Sequence, residues 1–206
     1  METAQPFRLT EVFYSLQGEG LHIGKPAVFV RFAGCNQKCT KATVGFDCDT
    51  DYRERGTTDI DKLVEMVRAA AGRCRYIVLT GGEPGLQVTD SLIARFHDIG
   101  FRVGIESNGT TELPLTLDWV TVSPKPADKP SPLPVIFCNE FKLVLAENMR
   151  VSEPSEWGVR AEYKLLSPAF NGLEPDPAAL RWCIDWVLDN PSWLLTYQAH
   201  KVWGVR

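Results

Sequence analysis

Short apolar runs separated by amphipathic stretches set the tightest limit on what this chain can fold into. β-Branched and aromatic residues recur in Leu9–Tyr14, Ala27–Phe32, Tyr76–Leu79, Arg102–Ile105, Trp119–Val122 and Phe141–Leu145, with weaker runs near Tyr163 and Leu194. Runs this short and this apolar suit strands buried on both faces, as in parallel sheets. Helical patterns lie between several of them. The stretch Thr58–Ala71 repeats Ile60, Leu63, Val64, Val67 and Ala71 on one face, with Thr57 or Thr58 as its cap. Thr89–Ile99 follows the same period and stops at Gly100, and Asp176–Leu188 begins with Pro177 in its first turn. Strands alternating with helices predict an α/β fold with a largely parallel sheet.

The 206 residues, 44% of them hydrophobic, suffice for one domain spanning residues 1–206. The stretch Ser123–Leu133 is rich in Pro and Lys and reads as a loop, too short for a linker between domains. A formal net charge of -4 argues against a general nucleic-acid binder. The opening METAQPFRLTEVF has no apolar signal core, and no stretch has the length of a membrane span, so a cytoplasmic protein is expected. In that reducing compartment the six cysteines are thiols, and Cys74, Cys138 and Cys183 read as small buried hydrophobes.

The other three, Cys35, Cys39 and Cys48, share one short loop, residues 34–52, directly after the Ala27–Phe32 strand. Three thiolates are one fewer than a closed zinc or iron–sulfur site needs. Two readings follow. A zinc knuckle would take His22 or an Asp as fourth ligand. A four-iron cube held by three thiolates would keep one iron open for chemistry. The neighbouring strand ends bear on the choice. Thr80-Gly81-Gly82-Glu83-Pro84, Glu106-Ser107-Asn108-Gly109 and Ser123-Pro124-Lys125 each close a strand. Ligands bind at the carboxyl ends of strands in such folds, so these segments and the cysteine loop predict one mouth.

Together the motifs resemble the radical S-adenosylmethionine superfamily. Within it, LQGEG at Leu16–Gly20, RFAGCN at Arg31–Asn36, CDTDY at Cys48–Tyr52, TGGEP at Thr80–Pro84, ESNGT at Glu106–Thr110, SPK at Ser123–Lys125 and the closing HKxxGxR resemble the 7-carboxy-7-deazaguanine synthases. The resemblance runs from about residue 11 to the last residue and keeps the motif order. It departs at the cysteines: the superfamily spacing is C-x3-C-x2-C, whereas eight residues, TKATVGFD, separate Cys39 from Cys48 here. Ligation needs thiolates that converge rather than a fixed count between them, and Gly45 lets a longer loop bend back.

The resemblance implies a modified, incomplete (β/α) barrel and a lyase-type enzyme. It would convert 6-carboxy-5,6,7,8-tetrahydropterin to 7-carboxy-7-deazaguanine with loss of ammonia, a step toward queuosine and related deazapurines. The implied cofactors are a [4Fe-4S] cluster on Cys35, Cys39 and Cys48, S-adenosylmethionine on its open iron, and Mg2+ at Thr50. Asp47, Cys48, Asp49, Gly82, Glu106, Ser107, Ser123, Pro124 and Lys125 would hold S-adenosylmethionine, with Gly81 and Gly82 clearing space for its amino end. Leu16, Gln17, Gly18, Arg31, Thr80 and Arg206 would hold the pterin, Arg31 through a bidentate fork to its carboxylate and Arg206 through the terminal carboxylate. Glu19 either reads the pterin or holds the LQGEG turn, and His200 is either a site residue or a packed one. An electron donor such as flavodoxin or ferredoxin is implied as a partner. The broad apolar face carrying Trp182 and Trp186 suggests a homodimer, and the segment Leu194–Gln198 reads as a strand before a docked tail. Two other readings remain: a glycyl-radical-type activating enzyme acting on a protein, and a zinc-stapled binding module.

Overall fold

The computed structural model describes residues 5–126 and 129–206. The first half carries strands β1 (Phe7–Leu16), β2 (Pro26–Phe32), β3 (Gly56–Thr58), β4 (Tyr76–Gly81) and β5 (Arg102–Ser107), with helices α1 (Lys41–Val44), α2 (Ile60–Ala71) and α3 (Asp90–Asp98). The second half carries β6 (Trp119–Val122), β7 (Phe137–Leu145), β8 (Arg160–Pro168), the short pair β9 (Phe170–Asn171) and β10 (Glu174–Pro175), α4 (Pro177–Asp189), β11 (Trp193–Leu195) and α5 (Ala199–Trp203). Among the described residues nine strands form one open sheet in the order β11-β8-β7-β6-β5-β4-β2-β1-β3. From β2 to β11 every neighbour is parallel, while β1 lies antiparallel to β2 and to β3 at one edge. The sheet is mixed, mostly parallel and unclosed, as an incomplete barrel requires.

Successive residues of a strand face opposite ways, which divides the core. Val28, Val30, Phe32, Ile77, Leu79, Val103 and Ile105 pack outward against Leu63, Val64 and Val67 of α2 and Leu92, Ile93 and Phe96 of α3. Between them, Ala27, Phe29 and Val78 point inward with Phe13. In the second half, Phe141, Leu143 and Leu145 pack with Trp157, Trp193 and Cys183 of α4. Residues remaining on the inward face near the strand ends are polar or small, and they build the site.

The helix starts follow from local chemistry. Asp59 caps α2 by accepting from the Lys62 amide at 2.8 Å, so neither Thr57 nor Thr58 is the cap; both pair in β3 with β1. Thr89 caps α3 and Asp176 caps α4, each the first residue of the helical stretch the sequence pattern predicts. Cys138 and Cys183 are buried and their thiols are pushed up to about 12 by burial, whereas Cys74 is half-buried, with its thiol 3.3 Å from the Pro26 carbonyl. The stretch Ser123–Leu133 has no helix or strand at its described positions; residues 127–128 lie outside them. The strand expected over Leu194–Gln198 is confined to Trp193–Leu195, and the tail beyond it turns into α5. Among the described residues no helix is long and apolar enough to cross a membrane.

Candidate active site

The cysteine loop is closed at its base. The Gly34 amide donates to the Tyr52 carbonyl at 2.9 Å, which joins the two ends of the loop. Within it, the TKATVGFD insertion is a looped-out turn. Thr40 and Thr43 form a reciprocal cap, α1 follows, and Gly45 ends it in the left-handed region at φ 88. The Cys48 amide then donates to the Cys39 carbonyl at 3.2 Å, so the extra residues leave and rejoin with the two cysteine backbones side by side. The turn is anchored: Val44 is buried, Gly45 lies against Met149 and Ala146, and the Lys41 amide donates to Asp47 at 2.9 Å.

The strand end after β4 locks onto the same loop. The Gly82 amide donates to the Phe32 carbonyl at 3.0 Å and the Glu83 amide to the Gly34 carbonyl at 2.9 Å. A Cβ on Gly82 would stand 1.8 Å from the Gly34 oxygen, and one on Gly81 (φ 120) 2.2 Å from the Phe32 oxygen. The missing side chains therefore make room first for backbone, that of the β2 end at Gly81 and that of the cysteine loop at Gly82, a use that the expected clearance for a ligand did not include. Glu83 is fully buried and ties this end to the next: it accepts from the Ser107 hydroxyl at 2.8 Å, the Asn108 amide at 2.7 Å and the Gly85 amide at 2.8 Å.

Two cavities open over these strand ends. One, of about 200 Å³, is lined by all three loop cysteines together with Asp47, Asp49, Gly82, Glu106, Ser107, Ser123 and Lys125. Pro124 is buried and lines neither cavity. The other, of about 360 Å³, is lined by Leu16, Gln17, Gly18, Arg31, Thr80 and Arg206, every residue assigned to the pterin. Thr50, Thr80, Glu19, Asp49, Glu106, Lys142 and Gln198 line both, so the cavities adjoin.

The donor set of the smaller cavity fits a cluster with one open iron. All three loop cysteines line the cavity and no fourth cysteine does. Among the described residues no three His, Cys, Asp or Glu side chains converge as a single-ion site. Burial pushes the Cys35 and Cys39 thiols up, and iron ligation would hold them as thiolates. Lys125 is pushed down by burial, and its ammonium donates to the Ser123 carbonyl and hydroxyl at 3.0 and 3.1 Å. Thr50, at the junction, offers the hard oxygen that magnesium accepts.

In the larger cavity the polar groups are already engaged with one another. Gln17 accepts from the Gly18 and Glu19 amides at 2.8 and 3.3 Å and donates to Glu106 at 3.1 Å. Arg31 donates through Nε to Glu11 at 3.0 Å, which leaves the outer Nη pair of its fork outside that contact. Glu11 also holds Arg206, whose guanidinium lies 4.9 Å over the Phe13 ring. The tail crosses the cavity wall: the Ala199 amide donates to the Gly18 carbonyl at 2.9 Å, and Lys201 and Gln198 both bind Asp49. His200 packs where a Cβ on Gly18 would be, lines the cavity, and is kept neutral by burial. His22 and His97 lie elsewhere, bonded to Tyr76 and Asp118 at 3.0 and 2.9 Å.

Sequence reasoning missed Lys142, whose ammonium donates to Glu19 at 2.6 Å and Glu106 at 2.9 Å at the junction. Its signal was a lysine inside the apolar run Phe141–Leu145, where a charge needs a partner. Burial opposes ionisation of Glu19, yet Lys142 beside it holds its pKa down to about 2, while burial pushes Glu106 up.

No family model matches the chain. Among curated proteins, the chain is 41% identical to the 7-carboxy-7-deazaguanine synthase of Bacteroides thetaiotaomicron, over 97% of this chain and 98% of that one. It is 39% identical to the enzyme of the same name from Bradyrhizobium diazoefficiens, over 97% and 99%, and 30% identical to that of Synechocystis, over 97% and 94%. Among solved structures, QueE from Escherichia coli matches with a TM-score of 0.69 at 23% identity, over 95% of each chain, a likeness of fold.

Proposed function

The chain belongs to the 7-carboxy-7-deazaguanine synthase family, radical S-adenosylmethionine enzymes of lyase type, and from that premise we propose how its own residues carry out the reaction. The substrate is 6-carboxy-5,6,7,8-tetrahydropterin, and the product forms with loss of ammonia. The observation that carries this reading is the pair of adjoining cavities. One is lined by three cysteines, the other by carboxylates, amides and three arginines, and they meet at Thr50 and Thr80 among others.

Cys35, Cys39 and Cys48 would hold the [4Fe-4S] cluster, and Asp47, Asp49, Gly82, Glu106, Ser107, Ser123, Pro124 and Lys125 would surround S-adenosylmethionine, Pro124 from behind the wall. When bound, these two cofactors supply hydrogen-abstraction chemistry to the substrate carbon. The chain's residues orient and enclose. Arg31 turns its outer fork to the pterin carboxylate, the strongest planar match for that group. Thr50 would share a magnesium ion with the same carboxylate. Glu19 offers an acceptor to the pterin's N–H edge, and Gln17, whose oxygen is taken by the Gly18 and Glu19 amides, offers its remaining amide N–H, with Leu16 and Gly18 beside them through backbone. The tail, with His200 and Arg206 lining the cavity, would flank the bound pterin. Exclusion of solvent strengthens each of these contacts and prevents side reactions.

The catalytic unit on this reading is one domain, residues 1–206. A flavodoxin- or ferredoxin-like donor would reach the cluster from the side of Cys48, which is exposed. A homodimer is supported by Leu194 and Leu195, exposed along the sheet's free β11 edge, and by Leu188 at the end of α4. The test of the function is direct. Anaerobically reconstituted protein is incubated with reductant, S-adenosylmethionine, magnesium and the pterin, and the products are weighed by mass spectrometry. Many turnovers of 7-carboxy-7-deazaguanine without matching loss of S-adenosylmethionine support it. Cofactor cleavage without that product refutes the substrate, and a colourless protein refutes the cluster.

A further inference from the structure

Lys142 stands where the two cavities meet, on a strand whose other residues explain only its backbone. Phe141, Leu143 and Leu145 of β7 pack into the outer core, so Lys142 falls on the inward face with Glu140 and Val144. A lysine at 5% exposure needs partners, and it has two. One oxygen of Glu19 and one of Glu106 accept its ammonium; the other oxygen of each accepts a glutamine amide, Gln198 and Gln17, both at 3.1 Å. The result is a continuous chain, Gln17–Glu106–Lys142–Glu19–Gln198, from the turn after β1 to the tail. Side-chain exposures of 6%, 15% and 20% for Lys142, Glu19 and Glu106 withdraw all three charges from bulk water.

We propose that Lys142 is a positioning residue for the synthase reaction: by bridging Glu19 and Glu106 it keeps both carboxylates ionised and fixed, so that Glu19 presents acceptors to the pterin and Glu106 to the cofactor. This inference rests on the pterin reading of the larger cavity. Its physical basis is that two carboxylates sharing a poorly solvated site cannot both stay charged without a cation between them. Among the described residues no other cation bonds to Glu19 or Glu106. Glu140 and Tyr76 face Glu106 from below, and Glu140 adds a further negative charge. His200 and Asp49 face Glu19 from the tail and the cysteine loop, but His200 is held neutral by burial, and Lys201 is spent on Asp49. Lys125 lies within electrostatic reach of Glu19, but its ammonium is bound to Ser123 and contacts neither carboxylate. Each carboxylate oxygen retains a lone pair beyond its contact in the chain, which is the acceptor a ligand N–H or ribose hydroxyl would use.

The test uses cluster-loaded, anaerobic enzyme and the affinity for 6-carboxytetrahydropterin, measured by calorimetry from pH 6 to pH 9 in the presence of S-adenosylmethionine. Iron per chain and the melting curve serve as controls. The wild type is expected to bind with little dependence on pH, and so is Lys142→Arg, which keeps the charge. Lys142→Met is expected to bind roughly tenfold or more weakly at low pH, because one carboxylate takes up a proton, and to recover as that proton leaves at higher pH. Iron content should not change. Wild-type affinity in Lys142→Met, or a loss equal at every pH, overturns the proposal. Should Lys142→Met fail to fold, the double variant Lys142→Met/Glu106→Gln removes one negative charge along with the positive one; recovery of the fold supports the bridging role, and continued failure overturns it. A wild type that binds no pterin removes the substrate reading, and this inference with it.

Discussion

Replacing Gly82 by alanine tests whether the crossing of two backbones holds the cysteine loop in place. The added Cβ would stand 1.8 Å from the Gly34 carbonyl oxygen, and ordinary contact begins at 3.4 Å. A flexible side chain could swing away, but the obstacle is backbone, pinned by the Gly82-to-Phe32 and Glu83-to-Gly34 hydrogen bonds at 3.0 and 2.9 Å. Relief needs a shift of about 1.6 Å between the β4 end and the residue before Cys35, and a shift that size breaks at least one of those bonds. Overpacking costs about 1–3 kcal/mol, and a lost backbone bond adds about 1 kcal/mol. A total of about 2–4 kcal/mol leaves a domain of ordinary stability folded. It should lower the melting temperature of the cluster-free protein by roughly 5–15 °C for a chain of this length. The displaced loop should also retain less iron after anaerobic reconstitution. Both are read on one preparation, by calorimetric melting and by iron per chain. A melting temperature within a degree or two of wild type, with full iron, refutes the reasoning, because the close approach would then be absorbed without cost.

Three other outcomes follow from the same geometry. Cys39→Ala should lose stable cluster binding while keeping the fold, since only the backbone carbonyl of Cys39 closes the insertion on Cys48; full iron content with normal turnover would place the third ligand elsewhere. Arg31→Ala should weaken pterin binding by roughly 2–5 kcal/mol and leave iron content unchanged, and an unaltered dissociation constant by calorimetry would remove Arg31 from the pocket. His22 is pushed down to about 4 by burial, with Lys25 and Arg102 adding to the effect, so its folded form binds a proton less readily than its unfolded form. Stability from keeping it neutral is present above about pH 6.5 and is lost as pH falls toward 4; denaturant unfolding of wild type and His22→Gln over that window should show a steeper decline in wild type, and parallel curves would refute the assignment.

Where the chain speaks through local pattern, it was legible. The strand runs Ala27–Phe32, Tyr76–Leu79, Arg102–Ile105 and Trp119–Val122 all fall within observed strands. Apolar spacing located α2, α3 and α4 because each buries one stripe against the sheet. The cap of α2 was misplaced since Thr57, Thr58 and Asp59 are all capable caps, and pairing with β1 takes the two threonines. Helices α1 and α5 were invisible. At four and five residues they have too few turns to show a period, and each is held by what it touches: Met149 and Ala146 in one case, Gly18 and Asp49 in the other.

The site divides along the same line. Motif residues that sit at strand ends could be found from order alone, because a parallel sheet brings its carboxyl ends together whatever lies between them. The smaller cavity follows from that rule, whereas the larger one also takes Leu16, Gln17 and Gly18, which follow the antiparallel β1 beside Pro26 at the start of β2, and Arg206 from the tail. What order does not reveal is how polar side chains divide their hydrogen bonds once assembled. Gln17 reads as a free amide, yet it is bonded to its own turn and to Glu106. Arg31 reads as either an ion pair or a ligand group, and its geometry allows both, through different nitrogens. Lys142 reads as an interruption in an apolar run until Glu19 and Glu106, 123 and 36 residues away, are brought beside it. Each case is a contact between distant segments, decided by the need to satisfy a buried polar group rather than by any local preference. The eight-residue insertion obeys the same rule. The loop tolerates it because both of its ends are tied by a single backbone bond between Cys39 and Cys48, so the added length leaves and returns without parting the two cysteine backbones.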